Sequence, residues 1–411
     1  MQRVMTDWVR RWRSWWWATP RLAARDVWIV VLNWDRRAET LACLASLARA
    51  ELDGATIVVV DNGSGDGTVA AVRAQFPAVR IVALDENRGF AGGCNAGIRA
   101  SLEAGAGAVL LLNNDTEVAP DFLAPLVSVM NRTPRAAAVA GAVFRADSPE
   151  VLDVAWLEIY FGHGIVRRRG VNALPGEGFD RVRRVSAGVG SFLLLRATAL
   201  ERVGLLDEDY FAYHEEVDWC FRAQRAGYTV MYQPFARIWH RGSTSTAELG
   251  RPPARRRRAA GRPQLPNPIP LSWNPVRTYL GARNSVRFVR RHGSWWRKLY
   301  FVGSSLYAIP LDLLAVTMGR EEEVKLGLWT YRRALALYCL ECETDGASGP
   351  PTWRTRLRAL WHAPRHLLVS LPDDVRRAHA EGVTAEVVEC VRGLRDGYHD
   401  RPLPLERLGL R

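Results

Sequence analysis

Val27-Trp-Ile-Val-Val-Leu-Asn33 is the stretch on which the fold turns. An unbroken apolar run ends there at an amide. The same pattern returns at Ala55–Val60 before Asp61, at Val79–Leu84, and at Ala108–Leu112 before Asn113-Asn114-Asp115. A strand with one wet face alternates apolar with polar residues, whereas a continuous run is buried on both faces. Helical spacing between such runs, as over Thr40–Ala50, predicts a mostly parallel sheet covered by helices on both sides. Ligands of such sheets bind beyond the carboxyl ends of the strands. Asn33-Trp34, Asp61-Asn62-Gly63-Ser64 and Asn113-Asn114-Asp115 fall at those ends and are expected to line one cleft.

Downstream, Tyr210-Phe-Ala-Tyr-His-Glu-Glu-Val-Asp-Trp-Cys-Phe-Arg222 sets three carboxylates, Glu215, Glu216 and Asp218, at the start of a helix. His240 follows just past an apolar strand. Charges so costly to bury are seldom gathered for stability alone. With Asp115 at a strand end, they point to metal-dependent transfer: one carboxylate on a cation, a second taking a proton, and His240 completing the coordination. Asp61-Asn-Gly-Ser-Gly-Asp-Gly-Thr68 is neither the G-x-G-x-x-G fingerprint nor a P-loop, which weighs against a dehydrogenase and an NTPase. An Asp at that tip can accept from the N3–H of uracil or thymine. Asn87-Arg88-Gly89-Phe-Ala-Gly-Gly-Cys-Asn95-Ala-Gly97 has two readings. Either backbone N–H groups at a helix start face an anion, or the helix needs small residues against the sheet.

The basic excess, net +13 with 16 tryptophans in 411 residues, suits nucleic acid, an anionic membrane surface or a phosphorylated substrate. Six irregularly spaced cysteines read as reduced thiols of a cytosolic protein, with Cys339 and Cys342 an inert lone C-x-x-C. No cleavable signal peptide is visible. The Trp- and Arg-rich segment 1–25 reads as a helix lying on a bilayer or packed on its own domain. Residues 26–247 form the expected catalytic domain, although 136–184 is less periodic and Ser186–Leu195 reads as one strand with small residues first. Residues 248–272, with Arg255 to Arg258 in a row and repeated prolines, read as a linker or loop. Residues 273–411 read as helical. Leu299–Met318 is apolar, but Gly303, Pro310 and Asp312 interrupt it, which favours helices in the membrane plane over a crossing.

Taken in order, Val31-Leu-Asn-Trp34, Val59-Val-Asp-Asn-Gly-Ser64, the 87–95 segment, Leu111-Leu-Asn-Asn-Asp-Thr-Glu-Val118 and His214-Glu-Glu-Val-Asp-Trp-Cys-Phe-Arg222 resemble the motifs of family-2 inverting glycosyltransferases. Within that family the chain looks most like bacterial rhamnosyltransferases of polysaccharide and cell-wall assembly. The similarity runs from about residue 26 to 245, with a weaker echo at Tyr279–His292. It implies a glycosyltransferase A-type fold, a Rossmann-like sheet flanked by helices, with a helical, membrane-associating C-terminal region. It also implies a nucleoside-diphosphate sugar donor (dTDP- or UDP-linked, best dTDP-rhamnose), Mg2+ or Mn2+, and a lipid-linked or polysaccharide acceptor.

Carried over by position, Asp61 contacts the base and Asn33 lies beside the nucleoside, with Asn87, Arg88, Gly89, Asn95, Asn113 and Asn114 also on the donor. Asp115 keeps the one carboxylate of the family's D-x-D place and binds metal with His240. Arg241, Ser243 and Thr244 close over the diphosphate. Glu216 stands where the base is expected, beside Glu215 and Asp218, although the family usually has Glu-Asp where this chain has Glu-Glu. Such an enzyme would work peripherally at the cytoplasmic face of a bacterial inner membrane, on an anionic surface and without nucleic acid. A nucleotidyltransferase would share the sheet and metal, but the Gly-rich loop it usually carries after the first strand is missing. A nucleic-acid-binding protein would explain the charge and leave the carboxylates unexplained.

Overall fold

The computed structural model describes residues 21–162, 165–174, 176–241, 275–305, 383–406 and 408–410, which divide into two compact units. The first is built on the four predicted strands, β1 (Val27–Asn33), β2 (Thr56–Asn62), β3 (Arg80–Leu84) and β4 (Ala108–Asn113), parallel in the order β3-β2-β1-β4. Between them run α1 (Arg37–Ala48), α2 (Thr68–Gln75) and α3 (Gly89–Glu103). Val27, Ile29, Val30 and Val31 are buried on both faces, each stabilising the fold by roughly 1.5–3 kcal/mol. Small residues on α3 are required there. A Cβ on Gly97 would lie 2.5 Å from Val30 Cγ1 and 2.9 Å from Val60 Cγ2, and one on Gly93 would meet Leu32.

After β5 (Thr116–Val118) and α4 (Leu123–Arg132), the less periodic stretch from residue 136 supplies β6 (Ala136–Arg145), β7 (Ser148–Val154), β8 (Trp156–Ile159), β9 (Val166–Arg169) and β10 (Arg183–Val185). The strand signal of β6 is faint because it is mostly alanine. It is nonetheless buried over nearly its whole length, and Gly141 leaves room for the ring of Phe192. The strand expected over Ser186–Leu195 starts only at Phe192, as β11 (Phe192–Arg196). Gly188 and Gly190 instead serve close passage: a Cβ on Gly188 would stand 2.7 Å from Ala140 Cβ, and one on Gly190 would stand 3.2 Å from the Phe90 ring. The unit continues with α5 (Ala197–Val203), α6 (Glu215–Arg225) and β12 (Thr229–His240).

The full sheet order is β10-β12-β6-β11-β4-β1-β2-β3, with β11 and β10 antiparallel to their neighbours. Strands β1, β2, β4, β6 and β12 therefore deliver Asn33, Asp61, Asn113, Arg145 and His240 to one edge.

In the second unit, α7 (Pro275–His292) packs on α9 (Val383–Tyr398), where Gly393 and Gly397 face the backbone of Tyr279 and Arg283. The Tyr279 hydroxyl donates to Asp396 at 2.9 Å. On α8 (295–305), Trp295, Trp296, Leu299 and Val302 are exposed. No described helix is long and apolar enough to cross a membrane. Residues 1–20, 248–272, most of Leu299–Met318 and the Cys339/Cys342 pair lie outside the described residues.

Candidate active site

At the carboxyl edge, Asn33 ties three strand ends together. Its Nδ2 donates to Asp61 Oδ1 (2.8 Å) and Ser64 Oγ (3.0 Å), and its Oδ1 accepts from Thr40 Oγ1 (2.8 Å), Asn114 Nδ2 (3.1 Å) and the Arg36 N–H (3.2 Å). Both amide hydrogens and both lone-pair directions are taken, so Asn33 positions Asp61 and Asn114 and has no group left over for a nucleoside. Asp61 accepts one bond on each oxygen, the second from the Ser64 N–H at 3.2 Å, and keeps lone pairs for a ligand.

The anion-cradle reading of the helix start is corrected. The N–H groups of Arg88, Gly89 and Ala91 donate to Asn62 Oδ1 (3.0 Å), Asn87 Oδ1 (2.9 Å) and the Phe211 carbonyl (3.0 Å). Asn87 Oδ1 is taken up in the same lock, also accepting from Asn62 Nδ2 at 2.9 Å. Asn95 is also corrected: its amide grips Leu206 from both sides and donates to Glu208 at 2.8 Å, which fastens the 206–208 turn to α3. The Arg88 side chain is exposed and helps to hold the Glu208 carboxyl below its ordinary value.

Pairing of β5 with β12 in the register Thr116↔His240 brings Asp115 and His240 together, Oδ1 to Nε2 at 3.1 Å. The Arg241 N–H donates to the Asp115 carbonyl at 3.0 Å, whereas Ser243 and Thr244 lie outside the described residues. On the far side of the imidazole, Nδ1 stands 3.6 Å from Asp153 Oδ2, and Arg168 pairs with Asp153 at 2.8 Å. Burial alone would lower the His240 pKa; the two flanking carboxylates outweigh it and raise the group to about 9. Burial likewise opposes ionisation of both acids and is overcome. His240 holds Asp115 below its ordinary value, and His240 with Arg168 holds Asp153 at about 2.

Asp115 Oδ1 and both ring nitrogens of His240 are buried without hydrogen-bond geometry, so the pair stands as an ion pair at most. One carboxylate oxygen and one imidazole nitrogen converging in this way fit a Mg2+ or Mn2+ ion that displaces the imidazolium proton, and a carboxylate behind the second ring nitrogen is the usual support of a metal-binding histidine. Among the described residues no group of three or more such side chains gathers, so phosphate oxygens and water would have to complete the sphere. The Asn113 side chain adds a hydrogen bond that lowers the Asp115 pKa further.

The other half of the site is α6. Phe211, Tyr213 and His214, immediately before it, have φ of 62°, 69° and 77°, a backbone that non-glycine residues rarely adopt. The strain is held in part by the Phe211 carbonyl on α3, with Gly89 (φ 70°) directly beneath. This presents Glu215 and Glu216 at the helix start, where a Cβ on Gly190 would be 3.7 Å from Glu216 Cβ. One residue on, the Ser191 carbonyl accepts from the Asn113 N–H at 3.1 Å.

Burial first, and then the charge of Glu216, push Glu215 well above the ordinary carboxyl range; burial also raises Glu216. Adjacent buried carboxyls cannot both ionise cheaply. Glu215, 4% exposed, is the one that keeps its proton. Asp218 is corrected as a catalytic candidate: it has no exposed surface and binds Arg222 at 2.7 Å and the Tyr210 hydroxyl at 3.4 Å. Arg222 in turn donates to the Val203 and Leu205 carbonyls, so Asp218 anchors α6.

Asp153, Arg168, Thr40 and Arg222 were not foreseen. Asp153 had one available signal: it points opposite to the buried Leu152 and Val154, the alternation of a half-buried strand. Cys43, Cys94 and Cys220 are buried thiols, Cys43 and Cys220 pushed up to about 12 by burial and therefore inert.

Residues 28–188 match the model of Glycosyl transferase family 2. An N-acetylglucosaminyl-diphospho-decaprenol L-rhamnosyltransferase of Mycobacterium tuberculosis is 29% identical over 274 residues, covering 62% of this chain and 81% of that one. The dTDP-rhamnosyl transferase RfbF of Shigella flexneri is 24% identical over 269 residues, covering 65% and 81%. The solved structure of GalNAc-T7 with UDP, GalNAc and Mn2+ aligns at a TM-score of 0.49 and 15% identity over 70% of this chain and 50% of that one. The chain is thus a glycosyltransferase with a family-2 domain over residues 28–188, and it resembles bacterial rhamnosyltransferases.

Proposed function

We propose that the chain transfers a deoxyhexose, best rhamnose from dTDP-rhamnose, to a lipid-linked glycan by a single displacement that inverts the anomeric carbon. The observation that carries this reading is a cation-type donor set (Asp115, His240) at the carboxyl edge of the sheet, together with a carboxylate pair, Glu215 buried and Glu216 half-buried, at a strained helix start. The acceptor hydroxyl attacks C1 and gives its proton to Glu216. The bond from C1 to the diphosphate oxygen breaks, and the nucleoside diphosphate leaves with the electron pair. A pKa raised by burial suits Glu216 to accept a proton near neutrality. Neutral Glu215 beside it keeps the attacking oxygen from meeting a second charge. Asp61, oriented by Asn33, accepts from the N3–H of the thymine or uracil in this reading, which its remaining lone pairs support. A divalent cation held by Asp115 and His240 would supply charge neutralisation to the departing diphosphate. The lipid-linked acceptor rests on the likeness to the mycobacterial enzyme, whose name states such a substrate.

The exposed Trp295, Trp296, Leu299 and Val302, with Arg297 and Lys298 among them, support peripheral contact with an anionic bilayer, here taken as the inner face of a bacterial cytoplasmic membrane. The test is thermal protection by a panel of nucleotide sugars with and without Mn2+. dTDP-rhamnose with Mn2+ is expected to raise the melting temperature most, and Asp115→Ala to remove the Mn2+-dependent part. Equal protection in excess EDTA would contradict the metal assignment.

A further inference from the structure

Thr40, the fourth residue of α1, has no exposed surface, so no substrate can meet it. A threonine costs a helix some propensity, and this one spends its single hydroxyl hydrogen outside the helix. It donates to Asn33 Oδ1 at 2.8 Å and accepts from Asn114 Nδ2 at 2.9 Å. Asn114 Nδ2 also donates to Asn33 Oδ1 at 3.1 Å, which closes a ring of three side chains from α1, the end of β1 and the turn between β4 and β5. The ring reaches two carboxylates without containing either. From Asn33 it passes to Asp61 Oδ1 at 2.8 Å, and from Asn114 it passes through one peptide bond to Asp115.

The rest of that helix face holds the same turn. Cys43 Sγ lies 3.8 Å from the Asn113 carbonyl and from Thr116 Oγ1, and Ser46 Oγ accepts from the Val118 N–H at 3.3 Å. Thr40, Cys43 and Ser46, spaced three apart on one face, thus grip residues 113–118 in sequence, and of the three it is Thr40 that continues to Asn33. A hydroxyl at that corner serves both amides because it donates and accepts at once, whereas a methyl does neither. We infer that Thr40 is a positioning residue that fixes the base-reading Asp61 and the cation-holding Asp115 as one unit, so that nucleobase recognition and cation binding both depend on a buried hydroxyl that touches neither ligand. This rests on the glycosyl-transfer reading, which assigns Asp61 to the base and Asp115 to the cation.

The experiment uses the full chain and one probe, dTDP, titrated by calorimetry in EDTA and again with saturating Mn2+. Binding in EDTA reads the base site, and the gain on adding Mn2+ reads the cation site. Thr40→Val, nearly isosteric, should weaken dTDP roughly two- to tenfold in EDTA and cut the Mn2+ gain by a similar factor, the scale of one lost hydrogen bond at each end. Thr40→Ser keeps the hydroxyl and should restore both readings. Thr40→Ala removes the hydroxyl without setting a methyl against the two amides, and it gives the same readings should the valine variant not fold. Ser46→Ala, on the same helix face, should lower the melting temperature and leave both readings unchanged, which separates positioning from a general loosening of α1. Loss of one reading without the other, loss of neither, a serine variant as impaired as the valine, or a Ser46→Ala variant that matches it overturns the inference. A wild type that binds dTDP with no gain from Mn2+ takes down the cation assignment and the inference with it. A wild type with that gain, kept in the Thr40 variants, takes down the inference alone.

Discussion

Gly89→Ala probes the joint between the two halves of the site. The glycine has φ of 70°, and a Cβ there would stand 2.5 Å from the Phe211 carbonyl oxygen and 2.6 Å from Phe211 Cγ. Left-handed backbone costs a residue with a Cβ about 1–2 kcal/mol, and forcing a methyl into a filled space costs about 1–3 kcal/mol. Relaxation would recover part of this, so the expected destabilisation is about 2–4 kcal/mol. The neighbour that must yield is not a flexible tip. It is the backbone of Phe211, which accepts from the Ala91 N–H and leads within a few residues to Glu215 and Glu216. A shift there misplaces the base, so turnover should fall by about tenfold or more while donor affinity is kept. Denaturant unfolding followed by circular dichroism gives the stability, and initial rates at saturating donor give the turnover. A variant destabilised by less than about 0.5 kcal/mol with unchanged turnover would refute the reasoning, because surface positions behave in that way.

Asp218→Asn should destabilise by about 2–3 kcal/mol, the low end for breaking a buried pair because the Arg222 side chain keeps 19% exposure. Its folded fraction should turn over normally, and a turnover defect without a stability loss would return Asp218 to the chemistry. His214, buried and held neutral with its pKa lowered to about 4, gives stability that is complete above its unfolded value of 6.5 and is lost as pH falls toward 4, of the order of 3 kcal/mol. His214→Asn, which keeps a residue tolerant of φ 77°, should flatten unfolding free energy between those pH values; an unchanged slope would mean that the histidine takes up a proton in place.

The parallel half of the sheet was legible because β1, β2 and β4 are continuous apolar runs, and burial on both faces is the only economical use of such runs. β6 was not, since its alanines carry little hydrophobic contrast and its burial depends on Phe192 filling the space above Gly141. In the site, residue types and strand-end positions marked Asp61, Asp115, Glu216 and His240. Sequence spacing could not show that Asn33 and Asn95 have amides saturated by neighbours far along the chain, that Asn62 claims Asn87 Oδ1, or that Arg222 claims Asp218. Such assignments depend on which groups remain unsatisfied after folding, a property of the tertiary hydrogen-bond count rather than of any motif. Asp153 illustrates the converse: an ordinary residue of a weakly patterned strand reaches His240 only because β7, β6 and β12 are registered against one another.

Glu216→Gln tests the central claim most directly. With dTDP-rhamnose, Mn2+ and a polyprenyl-diphosphate-linked glycan, the wild-type chain should form a product of inverted anomeric configuration by NMR. The glutamine variant should bind donor normally and turn over about 10²- to 10⁴-fold more slowly. Near-normal turnover in Glu216→Gln, or retention of configuration in the wild-type product, would contradict the account.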